Sequence, residues 1–234
     1  MPATLKVISA GAVEFVVTRL AKAFTRDTGT AVTFTFNTIA GVRKRLEAGE
    51  AGDIVIGTAS AIVQFQETGV AVAGSGVEIG RTLTGLCVKQ GARVPDISTP
   101  DKLKAAMQGC RAFAYTDPAV GGTSGIYLTG LMERFGILDE MKRKAVLCIN
   151  GEDVVSRLLS GEADLGSTFI SEFFLKEGIV SAGPLPALIG NATAYAGALL
   201  ARGSNRDEAR AFLAMITAPA QREMWSTSGF EPAG

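Results

Sequence analysis

The sequence predicts an α/β protein of two lobes, each a mostly parallel sheet flanked by helices. Three observations carry that expectation. Strand-like and helix-like runs alternate along most of the 234 residues, the pattern of parallel strands joined by crossover helices. The turns that lead from strand to helix are rich in Gly, Ser and Thr, and in such sheets ligands bind where those turns lie. The chain also changes character near residue 81, and two α/β blocks followed by a helical tail suggest two lobes with crossings near residues 80 and 190. Lobe 1 is therefore expected at 1–82 plus 190–234 and lobe 2 at 83–189, each of ordinary domain size.

The elements follow in order. Leu5-Lys-Val-Ile-Ser9 reads as a strand, and Ala10-Gly-Ala12 turns into a helix striped by Val13, Val17, Leu20 and Phe24 and closed by Gly29. Ala31-Val-Thr-Phe-Thr-Phe36 is β-rich, and Asn37-Thr-Ile-Ala-Gly41 opens a helix that stops at Gly49. Asp53-Ile-Val-Ile-Gly57 is a third strand, with Thr58-Ala-Ser60 capping a helix over 61–67. Thr82-Leu-Thr-Gly-Leu-Cys-Val88 begins the second block, and Ser98-Thr-Pro-Asp101 starts a helix with proline in its first turn. Cys110-Arg-Ala-Phe-Ala-Tyr115 and Ala145-Val-Leu-Cys-Ile149 read as strands. A helix carries Val154, Val155, Leu158 and Leu159, and the turn Gly161-Glu-Ala-Asp164 leads into Leu165-Gly-Ser-Thr-Phe169. Thr193-Ala-Tyr-Ala-Gly-Ala-Leu-Leu200 is a late strand. Asn205 is read as the cap of a helix with Phe212, and Phe212 and Trp225 as packing.

Composition excludes several functions. Lys+Arg 23 balance Asp+Glu 23, and no basic run marks a nucleic-acid partner. No apolar stretch is long enough for a membrane span. Histidine is absent, which removes Ser-His-Asp and Cys-His catalysis and the commonest transition-metal ligand. No metal and no cofactor are expected. Cys87, Cys110 and Cys148 are dispersed in apolar contexts and read as buried free thiols. The N-terminus passes straight into a strand with no signal peptide, so the expectation is a periplasmic chain without its leader or, alternatively, a cytoplasmic one.

The richest stretch is Asp117-Pro-Ala-Val-Gly-Gly-Thr-Ser-Gly-Ile-Tyr. It lies between a strand and a helix with Leu128, Leu131, Met132 and Phe135 at helical spacing. The first amides of a helix lack internal partners and its N-terminus is partly positive, so with Thr123 and Ser124 the turn suits an oxyanion. A Ser/Thr N-cap after a flexible turn explains the same residues. The pattern is neither a Walker P-loop nor a dinucleotide fingerprint.

Five stretches together resemble a family: Val7-Ile-Ser-Ala-Gly-Ala-Val13, Ala31 to Phe36 with its loop, Leu46-Glu-Ala-Gly-Glu-Ala-Gly-Asp-Ile-Val-Ile56, Leu159-Ser-Gly-Glu-Ala-Asp-Leu-Gly166, and 211–232 ending Gly229-Phe-Glu-Pro232. In this order they are similar to the type II periplasmic binding proteins of the molybdate-binding (ModA-like) branch. The resemblance implies two lobes joined by crossing segments, an anion clamped in a cleft by helix N-termini and hydroxyls, and an ABC transporter permease as partner. It places the branch's serine of the first turn at Ala12, its second serine near Ile39-Ala40 with Thr38 the nearest hydroxyl, and its tyrosine at Phe169. With those donors lost, Thr38, Thr123, Ser124 and Thr168 remain, with the basic residues of the second helix close by. That set suits a di- or tricarboxylate better than molybdate.

Four residues have two readings. Arg43 belongs to an exposed basic face with Lys44 and Arg45, or points to the ligand. Asp117 is a turn residue or a carboxylate facing the ligand. Glu14 stabilises a helix start or accepts a proton, and Tyr195 is core or ligand contact. The expected function is a solute-binding protein for a small anion. The resemblance also implies an alternative, an isomerase of an unsaturated tricarboxylic acid such as aconitate, with Glu14 and Asp117 as acid/base candidates. An effector-binding half of a regulator would need a DNA-binding segment that the sequence lacks.

Overall fold

A computed structural model describes residues 4–233. The extreme N-terminus, to which the signal-peptide expectation belongs, lies outside the described residues. In chain order the elements are β1 (Thr4–Ala10), α1 (Glu14–Thr28), β2 (Ala31–Asn37), α2 (Ile39–Glu47), β3 (Ile54–Thr58), α3 (Ala59–Glu67) and β4 (Val77–Lys89). There follow α4 (Pro100–Gly109), β5 (Phe113–Thr116), α5 (Thr123–Arg134), α6 (Leu138–Lys144), β6 (Ala145–Cys148), α7 (Gly151–Ser160), β7 (Leu165–Phe169), α8 (Ile170–Phe173) and β8 (Ile179–Pro184). The chain closes with β9 (Ala192–Leu199), α9 (Arg206–Ile216), α10 (Arg222–Ser226) and β10 (Phe230–Pro232).

Two compact units divide the chain, one holding 4–81 and 193–233 and the other 82–192. In the first unit β1 is flanked by β2 and β3, both parallel to it, and β9 runs antiparallel beside β3. Ile8, Val55 and Ala198 on one sheet face pack with Val42, Ile62 and Phe65 of α2 and α3. On the other side Phe24 of α1 meets Phe212 of α9 edge-on, ring centroids 5.3 Å apart. Trp225 is buried and donates Nε1 to Ile216 O at 2.8 Å, with Phe230 of β10 against its ring. In the second unit β5 is flanked by β6 and β7, again both parallel. β4 runs antiparallel to β7 and β8. Its core gathers Phe113, Tyr115, Leu128, Leu131, Met132 and Met141.

Each unit is locked by an aspartate placed just before its third parallel-core strand. Asp53 Oδ2 accepts from Lys6 N at 2.9 Å, and its Oδ1 accepts from Ser204 N and Asn205 N at 3.0 and 3.1 Å. Asp164 accepts from Arg111 N and Ala112 N at 2.9 and 2.8 Å. The carboxylates tie the entry of β1 or β5 to the neighbouring strand.

Several expectations are corrected. β4 begins at Val77 rather than at Thr82, its early part running beside β10. α3 begins at Ala59, with Thr58 alone as cap, accepting from Ala61 N at 3.3 Å. Asn205 stands at the N-cap of α9 without capping it; its side-chain Nδ2 instead donates to Asp53 and to Thr4 O. α6, α8 and β8 have no clear periodicity in the sequence. The first two are only 7 and 4 residues long, and β8 is half-buried along its length, so neither a stripe nor an alternation marks them.

Candidate functional site

The glycine turn leaves the carboxyl end of β5, the middle strand of its unit's three parallel strands. Asp117 N donates to Cys148 O at 2.8 Å, fastening the turn to the end of β6, and Asp117 Oδ1 accepts from Ala119 N at 2.9 Å. A short 3-10 turn over Pro118–Val120 leads to Gly121, whose φ of 71° only glycine adopts without strain. α5 then packs so tightly on β5 that a Cβ at Gly125 would overlap the Thr116 carbonyl. Tyr115, buried beneath, has its phenol pKa pushed up by burial and then by the Asp117 carboxylate.

The N-cap of α5 is Gly122, and no side chain caps the helix. The expected Ser/Thr cap is thus absent: Thr123 and Ser124 lie within the first helical turn. The first helix amide with a backbone partner is that of Ile126, donating to Gly122 O at 3.0 Å. Those of 123–125 are the orphans of a helix start. Ser124 is 3 % exposed, and among the described residues its hydroxyl makes no hydrogen bond. The hydroxyls sealed from solvent without a partner are those of Thr84 and Ser171. The Ser124 oxygen, by contrast, keeps some contact with solvent.

The other helix starts on the two parallel cores are mostly satisfied. Thr38 caps α2 by accepting from Gly41 N at 3.2 Å, Thr58 caps α3, and Asn150 caps α7 by accepting from Asp153 N at 2.9 Å. The start of α8 is closed by Glu172, which accepts from Phe169 N at 3.3 Å. Only α1 and α5 in this set lack a side-chain cap. Each follows the middle strand of its unit's three parallel strands through a 3-10 turn.

The profile of a family described as bacterial extracellular solute-binding protein matches residues 5–231. The chain belongs to that family. It is 28 % identical to an aconitate isomerase from Pseudomonas sp over 98 % of this chain and 88 % of that protein. It is 36 % identical to the molybdate-binding protein ModA of Mycobacterium tuberculosis over 78 residues, 33 % of this chain and 30 % of that one. The periplasmic molybdate-binding protein of Azotobacter vinelandii has the same fold, with a TM-score of 0.79 at 18 % identity over 97 % of this chain and 98 % of that one. The resemblance to ModA-like type II solute-binding proteins and the α/β fold expected from it hold.

Within this solute-binding protein most of the candidate residues follow the carboxyl ends of the parallel strands, Arg43 lying within α2 and Tyr195 within β9. In the first unit Ala12 is buried in the 3-10 turn after β1 and Glu14 opens α1, exposed. Thr38 follows β2, beside β1. Tyr195 pairs with Thr58 at the same end of β3, but it is 2 % exposed and packs edge-on against Phe230. Arg43 donates to Gln64 Oε1 at 2.6 Å and lies over the Phe65 ring, so it is turned to α3 of its own unit. In the second unit Asp117, Thr123 and Ser124 share one turn, and Thr168 and Phe169 end the adjacent strand β7. Both of the latter are buried, and Thr168 Oγ1 donates to Glu172 in a short hydrogen bond.

Glu172 escaped the sequence reading. Its carboxylate accepts a hydrogen bond from the Thr168 hydroxyl and lies against Gly151, where a Cβ would overlap it. The local signal was its position as the third residue after a helix cap, the place from which a glutamate reaches back. Its contact with the start of α7 is tertiary and had no signal.

Proposed function

We propose that this protein is a periplasmic solute-binding protein that captures a small carboxylated organic anion and delivers it to an ABC-type membrane transporter. The observation that carries the reading is Ser124, a buried hydroxyl without an internal partner on the first turn of the uncapped helix α5. A hydroxyl left unpaired on an otherwise buried residue, its oxygen still reached by solvent, is available as a donor, and a vacant helix start adds orphan amides and a positive dipole end to it. A carboxylate uses just such a group of converging donors. Family membership supports solute binding as the activity. Thr38, Thr123 and Ser124 are the hydroxyls in play at the strand ends, Thr168 giving its hydrogen bond to Glu172 instead, with Arg43, Ala12, Phe169 and Tyr195 as neighbouring candidates. Ala12 and Phe169 stand where the ModA-like resemblance calls for hydroxyl donors, which argues for an organic anion over molybdate.

The test is a thermal-shift screen with molybdate, tungstate, sulfate, phosphate and a panel of di- and tricarboxylates. A ligand of the folded state raises the melting temperature with its saturation. Stabilisation by carboxylates supports the reading, and micromolar stabilisation by molybdate or tungstate alone overturns it.

A second reading has its own observation, the 28 % identity to aconitate isomerase along nearly the whole chain. Shifting a double bond next to carboxylates needs an acid, a base and charge stabilisation, and neither metal nor histidine. Glu14 and Asp117 are the candidate proton carriers. Incubating the protein with cis- or trans-aconitate and following the isomers by NMR separates the two: turnover that Glu14→Gln or Asp117→Asn abolishes makes the protein an enzyme, and an unchanged spectrum leaves it a carrier.

A further inference from the structure

We infer that Glu172 sets the ligand specificity of the second unit's anion site, excluding compact dianions in favour of a carboxylate; this rests on the anion-binding reading above. β6 and β7 flank β5 on either side. Glu172 touches the β7 end through Thr168 and Phe169, and it touches Gly151, the first residue of α7, just beyond β6. Its carboxylate therefore joins the end of β7 to the start of α7, which follow the two neighbours of β5, the strand that feeds the Gly122-Thr123-Ser124 turn.

Three consequences follow from ordinary chemistry. A carboxylate only accepts, so Thr168 must point its proton at Glu172 and has no proton left for an anion. The start of α7 is already supplied with a negative group, the chain's own, so α5 is the helix start left for a ligand. A fixed negative charge also repels a ligand in proportion to the charge brought near it. A tetrahedral dianion carries two charges in one small ion and needs donors on four oxygens. A carboxylate group carries one charge and two oxygens, which the α5 amides and the Ser124 hydroxyl can serve.

The experiment measures dissociation constants of sulfate, molybdate, malate and citrate by calorimetry for the wild type and Glu172→Gln. The glutamine keeps an oxygen to accept from Thr168 and Phe169 and removes the charge. The expected result is that Glu172→Gln strengthens sulfate or molybdate binding at least tenfold relative to the carboxylates. Gly151→Ala, which pushes the carboxylate off α7, is expected to move the ratio in the same direction and covers the case of a misfolded Glu172→Gln. Carboxylate binding with an unchanged ratio in the folded variants overturns the role of Glu172 and leaves the anion-binding reading standing. Absence of binding to all four in wild type and variants overturns both.

Discussion

At the scale of single residues, Ser124 separates a structural from a functional role. Its hydroxyl stabilises nothing inside the described protein, and alanine is the better helix former by a few tenths of a kcal/mol. Ser124→Ala is therefore expected to leave the ligand-free melting temperature unchanged or slightly raised, while weakening anion binding about tenfold. A lowered ligand-free stability with unaltered affinity would make Ser124 a structural residue. The cysteines give a second prediction. Burial pushes the Cys110 thiol up to about 11 and the Cys148 thiol up to about 12, and burial raises Cys87 as well. The thiolate is the reactive form, so none of the three should be alkylated by iodoacetamide at pH 8 in the native state, and all three should be alkylated in urea. Mass spectrometry reads the difference, and rapid native labelling would contradict it.

At the scale of elements, the close approach of α5 to β5 explains why the site is built on glycine. A methyl at position 125 would meet the Thr116 carbonyl, which is backbone and cannot swing aside. Gly125→Ala must therefore move the helix start, and about 2–4 kcal/mol of destabilisation with loss of anion binding is expected in urea denaturation and calorimetry. The strand–turn–helix units of the first 65 residues or so were legible because each combines a period, a cap and a stop. Val17, Leu20 and Phe24 do lie on the buried face of α1, and Gly29 does close it in the left-handed conformation. Where side chains serve distant partners, the local signal fails. Asn205 looks like a cap and is taken by Asp53, and Thr123 looks like a cap but lies inside the helix that Gly122 begins. Glu172 meets Gly151, 21 positions earlier in the chain, a contact that no local pattern marks.

At the scale of the whole molecule, the absence of histidine fixes the shape of the pH dependence. No side chain with an ordinary pKa near 6.5 is present to titrate. The groups that couple stability to pH are carboxylates, and Asp53 and Asp164 hold equivalent places in the two units. For each, burial works to raise the pKa. Hydrogen bonds outweigh it and hold the pKa below its usual value: from Lys6, Asn205 and Ser204 at Asp53, and from Ala112 and Arg111 at Asp164. A depressed folded pKa means that the unfolded chain takes up the proton first as pH falls. The contribution is thus fully present above the unfolded value of about 3.9 and disappears as pH drops through the lower folded value. The urea midpoint is expected to stay flat between about pH 6 and 8 and to fall steeply below about pH 4. Asp53→Asn loses the charge but keeps one accepting oxygen, so it should cost about 1–3 kcal/mol at pH 7 and give a shallower acid decline. A variant that is weaker at pH 7 yet declines in acid as steeply as the wild type would show that Asp53 matters as a hydrogen-bonding shape and that its charge is not what acid removes.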